Sequence, residues 1–240
     1  MKHLRLFKTN ADYESATLEL PNVSFVEENT TVNYNPGSNS SLEYIMVDLG
    51  LPSGLLWADR NVGATSPEDV GLYFAWGETD GYTEEQVEAG EKIFDWDNYF
   101  DTNDGGSTFN KYAVDKIVTL ESADDAASVF MGADWRMPTE TEVEELYQNT
   151  EIEMVNIDNI TYAQFTSLIN GNHILMPLSG YFNGSSLKSY NSYGYYWQSS
   201  LSDQYSAQGR YYMFRKAGDG ISHGSGWNKR YYGYTIRGVK

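Results

Sequence analysis

The 240-residue chain has no cysteine, which excludes disulfide staples, thiol catalysis and zinc–thiolate sites together. Histidine is nearly as scarce: His3, His173 and His223 stand far apart, with no spacing suited to a shared metal. No apolar run approaches the length of a membrane span, and the N-terminal "MKHLRLFKTNADYES" carries no apolar core of signal-peptide length. The expectation is a chain that does not insert into a membrane and is not routed to secretion by this sequence. Cations are also few, 16 Lys and Arg against 34 Asp and Glu, and the net charge of −18 argues against nucleic acid as a partner.

What is abundant is apolar and aromatic. With 40% hydrophobic residues the chain can bury a core, and its length suits one large domain with or without a small appendage. Residues 181–240 hold eleven of the twenty tyrosines. They carry only two acids, Asp203 and Asp219, against eight Lys and Arg, a local net of +6 that leaves −24 on residues 1–180. An acidic body thus carries an aromatic, mildly basic end, whose final "SHGSGWNKRYYGYTIRGVK" has the Tyr, Trp, Ser, Gly and Asn composition of antibody combining loops. The plainer reading is a tyrosine-rich antiparallel sheet in which Tyr serves as a good strand former.

Along the chain, Asn35 to Ser41 reads as a linker or long turn. The preceding "NVSFVEENTTVNY" reads as a hairpin turning at Glu28-Asn29-Thr30. A hairpin of that size is not stable alone, so residues 1–40 are expected to form an attachment or oligomerisation segment, with a homo-oligomer depending on it. Residues 41–240 are expected to form the main domain. Strands are expected in "EYIMVDLGL", "HILMPLSGYF", "YGYYWQSS", "QGRYYMFR" and "YGYTIRGV", with "GLYFAWGE" a strand or turn and "KAGDGISHGSGW" a loop. Two helices are expected: one in "ESADDAASVFMG", capped by Ser122 and stopped by Gly132, and one in "PTETEVEELYQNT". In the second, Thr139 and Glu142 form a capping box and Val143, Leu146 and Tyr147 share a face. Two helices followed by an antiparallel sheet make the fold class α+β.

Several ordered motifs carry a family resemblance across about residues 44–240. "GADWRMPTETEVEEL" resembles the second helix of the C-type lectin fold as formylglycine-generating enzymes and their relatives use it. "YYGYTIRGV" is similar to that group's closing strand with its Gly-x-x-x-Arg pattern. "VDLGLPSGLLWADRNVGATSPEDVGLYFAWGE", "LESADDAAS" and "YGYYWQSS" resemble paralogous domains abundant in Bacteroidetes and their phages. The N-terminal segment more weakly resembles leading segments of phage structural proteins. A subset of these domains are variable proteins of diversity-generating retroelements. The resemblance therefore implies a C-type lectin fold with a C-terminal variable region at about 190–240. It implies a non-enzymatic ligand-binding face, with a host-cell surface protein or glycan as partner and a phage tail or fibre, or the bacterial surface, as location. An invariant adhesin of a gut bacterium and a lectin-fold enzyme are the alternatives.

The formylglycine-generating chemistry needs cysteines and does not carry over to a chain without them. No Gly-x-Ser-x-Gly elbow precedes a helix, so serine catalysis lacks its setting. Asp95, Asp97, Asp101, Asn103 and Asp104 in "DWDNYFDTNDGG" offer oxygen ligands for Ca²⁺, but no Glu closes an EF-hand loop, and such residues also form ordinary turns. Turns are the favoured reading, and no cofactor is expected. In "AQGRYYMFR", strand alternation separates Ala207, Gly209, Tyr211 and Met213 from Gln208, Arg210, Tyr212 and Phe214. The first set is expected inside and the second on a binding surface. To that surface are added Gln198, Ser202, Asp203, Tyr205, Asp219, Ser222, His223, Ser225, Trp227, Asn228 and Tyr232. The framework beneath is expected to rest on Trp135, Arg136, Trp197, Gly233 and Arg237, with both guanidiniums satisfied by carbonyls or a carboxylate.

Overall fold

The computed structural model describes residues 43–218 and 220–240. The expected hairpin, the linker and the attachment segment of residues 1–40 lie outside the described residues, as does Asp219. Over these residues the fold is α+β and mostly β, with ten strands in antiparallel sheets and three short helices.

Strands β1 (Met46–Asp48) and β2 (Leu56–Ala58) pair first. Helix α1 (Glu84–Glu88) follows, opened by a Thr83–Gln86 capping box; it is additional to the two expected helices. Helix α2 (Ala126–Met131) starts one step later than expected. A 3-10 turn occupies Ser122–Asp124, and Asp125, not Ser122, caps α2 by accepting from the Ala127 and Ser128 N–H groups. Asp125 wins because its second oxygen also accepts from the Met137 N–H at 2.8 Å, which ties α2 to the next segment. Gly132 ends the helix at φ 109°, a conformation suited to glycine. Helix α3 (Glu140–Asn149) has the expected Thr139–Glu142 capping box and buries Val143, Leu146 and Tyr147.

Strands β3 (Thr150–Ile157), β4 (Ile160–Ser167) and β5 (His173–Pro177) form one sheet. The β3–β4 turn places Asp158 and Asn159 at φ 51° and 68°, the paired positive angles of a tight two-residue hairpin. After the small ribbon of β6 (Tyr181–Asn183) and β7 (Ser186–Lys188) comes the sheet that organises the C-terminal end. It contains β8 (Tyr193–Leu201), β9 (Gln208–Ala217) and β10 (Gly220–Lys229), in the order β10-β9-β8. The stretch expected as a loop is therefore strand β10. Its glycines lower strand propensity, but continuous antiparallel pairing from Gly220↔Ala217 to Lys229↔Gln208 holds it alongside β9. "YGYTIRGV" makes single bridges, among them Phe74↔Tyr234, Tyr196↔Thr235 and Arg136↔Val239, and forms no continuous strand.

One core cluster joins α3 to β4, β5, β8 and β9 through Leu146, Phe165, Met176, Tyr196, Tyr212 and Phe214. A second gathers Trp76, Trp197, Phe74, Tyr112 and Tyr234. Arg237 is fully buried between them. It donates to Asn61 Oδ1 at 2.9 Å and to the carbonyls of Ala58 (2.9 Å) and Leu175 (2.8 Å), and burial pulls its pKa down. Arg136 meets the Glu142 carboxylate at the start of α3, with one N–H···O contact at 2.7 Å. Trp135 and Trp197 are buried as expected of a framework.

Candidate functional site

The faces of the β8–β10 sheet follow from its register. Directly opposed residues share a face, so Tyr196, Tyr212 and Ser225 lie on one side and Trp197, Tyr211 and Gly226 on the other. Helix α3 covers the first side. Tyr147 donates to the Met213 carbonyl at 3.0 Å and packs on His223 with ring centroids 4.2 Å apart.

The expected alternation of β9 is therefore inverted at its centre. Tyr212 and Phe214 have no exposed surface and belong to the core, so neither presents its side chain to a ligand. Both strand sets carry aromatics, and what decides between them is the helix on one side. Gly194 makes the room: a Cβ there would lie 2.4 Å from the Phe214 ring. Gln198 and Ser202, also expected on the binding surface, are likewise fully buried and do not present their side chains to a ligand. Gln198 donates to Ser225 Oγ at 3.0 Å, and Ser202 Oγ accepts the Gln204 and Tyr205 N–H groups in a turn. Tyr211 and Met213, expected inside, are half-exposed.

Of the remaining expected residues, Arg210 gathers a small polar group. It donates to Glu140 at the start of α3 (2.6 Å), lies 3.4 Å from Asp203, and sits over the Trp227 ring at 5.6 Å. Ser225 and His223 continue this stripe along β10, and Gln208 pairs with Lys229 at its end. Tyr205 stands exposed on the β8–β9 turn. Ser222 and Asn228 fall on the opposite face, where Asn228 donates to the Tyr234 hydroxyl at 2.9 Å. The fifteen expected residues thus divide between a core, two faces and one position outside the described residues.

The opposite face holds what the sequence reading missed. Tyr193, Tyr195 and Tyr211 of the sheet join Tyr181 of β6 and Tyr232 in a half-exposed aromatic cluster. Tyr195 lies 5.1 Å from Tyr181 and 5.6 Å from both Tyr193 and Tyr211, and Tyr181 lies 5.4 Å from Tyr232. The Tyr193 and Tyr195 rings are nearly parallel, 9° apart, so they stand side by side as a comb. Arg215 covers Tyr193 at 5.3 Å. The hydroxyls of Tyr181, Tyr195 and Tyr211 make no hydrogen bond within the described residues. Burial raises their pKa, that of Tyr195 to about 12, so near neutral pH they remain neutral donor–acceptors. On β10 the facing positions are Gly224, which has open space above it, and Gly226, over which the Tyr211 ring leans, so a trough opens at Gly224 beside Met213 and is bounded by Tyr211. The missed signal was the spacing Tyr193, Tyr195, Trp197 set against Gly224 and Gly226, all at period two.

Family models, curated proteins and solved structures yield no match to this chain.

The acidic stretch proposed for Ca²⁺ is committed to the fold. Asp95 caps a 3-10 turn by accepting the Asn98 N–H at 3.0 Å. Asp104 accepts from Ser107 and from both the N–H and hydroxyl of Thr108, and those bonds pull its pKa down to about 2. Asp101 is buried on Arg230 at 2.8 Å and takes the Lys111 and Tyr112 N–H groups. Asn103 bonds Asn110, and Asp97 lies within the 3-10 turn. Among the described residues no group of three or more His, Asp or Glu is placed to hold a metal. Arg230, which the sequence reading also passed over, stacks between Trp76 and Phe109 and donates to the Tyr112 carbonyl, anchoring the start of the closing segment. No helix among the described residues is long and apolar enough to cross a membrane.

Proposed function

We propose that this chain is a non-enzymatic ligand-binding protein. Its recognition surface is the tyrosine face of the β8–β10 sheet, carried on a C-type lectin-like framework. The observation that carries this reading is the cluster of half-exposed tyrosines in which the hydroxyls of Tyr181, Tyr195 and Tyr211 have no partner among the described residues, beside open space at Gly224. Tyr offers broad contact area with few rotatable bonds and a hydroxyl for adaptable hydrogen bonding, which suits recognition of a protein or glycan surface. Within the same reading, the chain is a variable protein of a diversity-generating retroelement and reads host-cell receptors for a phage particle. The buried Arg237 and Arg230 networks support it, because a face open to rewriting has to stand on a framework secured elsewhere.

The DNA beside the gene tests the diversification. A near-copy of its 3′ end should lie next to a reverse transcriptase. The copies should differ at adenines in the codons of Tyr193, Tyr195, Tyr211, Ser222 and Asn228, and agree at those of Trp197, Tyr212, Phe214 and Arg237. Differences spread equally over both groups would refute the assignment of the face. Absence of any copy would leave a fixed adhesin.

A further inference from the structure

Among the described residues strand β10 is an edge of its sheet and pairs only with β9. In β8 the Trp197 N–H donates to the Thr235 carbonyl and the Tyr193 carbonyl accepts from Gly180, both away from β9, so Tyr212 and Phe214 turn their backbone groups to β8 and Tyr211 and Met213 turn theirs to β10. The alternation continues without a bulge. The pairs of Ser222, Gly224, Gly226 and Asn228 turn their N–H and C=O groups inward, and those of His223, Ser225 and Trp227 turn them outward. No backbone partner for these three residues occurs among the described residues. The free stretch ends at Lys229, whose N–H is taken by Asn228 Oδ1 (2.9 Å) and whose carbonyl accepts from Tyr232 (3.1 Å). Exposed sheet edges are usually blunted by proline, charge or a bulge. Between Gly220 and Asn228 there is neither proline nor a Lys, Arg, Asp or Glu at the described positions, and the pairing is regular.

We propose that this edge binds an extended segment of a partner polypeptide as an added strand, and that the segment is acidic with large apolar or aromatic side chains at alternate positions. Main-chain hydrogen bonds to His223, Ser225 and Trp227 hold it. One set of its side chains falls over Gly224 and Gly226, against Tyr211 and Met213. There a large cross-strand neighbour covers the open space at Gly224 and packs on the Tyr211 ring that leans over Gly226. Its acidic residues meet Lys229 at one end and Arg215 and Lys216, opposite Ser222 and Ile221, at the other. A second copy of the chain fits less well. Antiparallel self-pairing about this centre sets glycine against glycine, buries nothing in the trough, and brings like charges together. The inference rests on the reading of this sheet as a recognition surface, but it concerns the backbone edge, and its test isolates that edge.

The probe is a blocked peptide, Asp-Asp-Thr-Phe-Thr-Tyr-Thr-Val-Asp, titrated into the full chain with hydrogen exchange read at individual amides. Binding should slow exchange at His223, Ser225 and Trp227. N-methylation of the peptide at either the threonines or the intervening Phe, Tyr and Val, but not both sets, should weaken binding at least about tenfold. Ser225→Pro removes one outward N–H without touching the β9 ladder and should weaken binding comparably, whereas Ser225→Ala keeps that N–H and should not. No binding at millimolar peptide, an equal effect of the two methylation patterns, or a dimer that Ser225→Pro dissociates would each overturn the proposal. Failure here with an intact tyrosine-face phenotype would leave the proposed function standing.

Discussion

Tyr212 is the residue at which sequence and structure part most sharply. As one of an alternating aromatic set it reads as a surface ligand contact. In the fold it has no exposed surface, its ring lies 5.3 Å from Tyr196 and 6.4 Å from Trp57, and its hydroxyl has no hydrogen-bond partner among the described residues. A buried unpaired hydroxyl costs about 1–3 kcal/mol, so Tyr212→Phe should leave the melting temperature unchanged or raise it. Tyr212→Ala removes the ring itself and should cost about 3–5 kcal/mol in denaturant melts. A Tyr212→Phe variant that melts as low as Tyr212→Ala would contradict the burial. Arg237 shows the opposite case. A lone arginine in an aromatic run invites an anchoring role, and its three acceptors, two at Ala58–Asn61 and one at Leu175, bear that out.

Among the elements, α3 was the most legible, because its boundaries are set by local chemistry. Thr139 and Glu142 cap it reciprocally, and Glu142 also takes the Arg136 guanidinium. Burial alone would push the Glu142 carboxyl up, but the Arg136 and Thr139 donors outweigh it and the pKa is lowered. A folded pKa below the unfolded one adds stability above the ordinary carboxylate range, and that stability is lost as pH falls through the folded value. Glu142→Gln should therefore destabilise the domain near pH 7, and the gap from the native chain should close below about pH 4. A gap that stays constant in melts between pH 7 and pH 3 would show that the charge is not what matters. The β9–β10 hairpin was only half legible. Period two separated its two sets of side chains, but which set faces the core depends on where α3 lies, a long-range fact. Strand β10 was hidden because its glycines and serines have low strand propensity, and pairing to β9 supplies what propensity does not. The β3–β4 hairpin did carry a local signal, Asp158-Asn159, in the two-residue turn.

For the whole molecule, the uneven charge and the tyrosine count single out the C-terminal quarter, which contains the β8–β10 sheet. The α+β class followed from motif order. The position of the candidate face did not, since it is assembled from β6, β8, β9 and Tyr232 and depends on tertiary packing. The central claim is that recognition rests with the half-exposed tyrosines of the β8–β10 sheet and stability with the fully buried residues, Trp197 beneath the same face included. The most direct measurement is a single-substitution scan of the displayed full chain, scored for protease resistance, at Tyr193, Tyr195, Tyr211, Ser222 and Asn228 and, in parallel, at Tyr196, Trp197, Tyr212, Phe214 and Arg237. The first group should average about 1 kcal/mol of destabilisation or less, and the second about 3 kcal/mol or more. Equal losses in the two groups would make the tyrosine face part of the core and contradict its assignment as a surface built for binding.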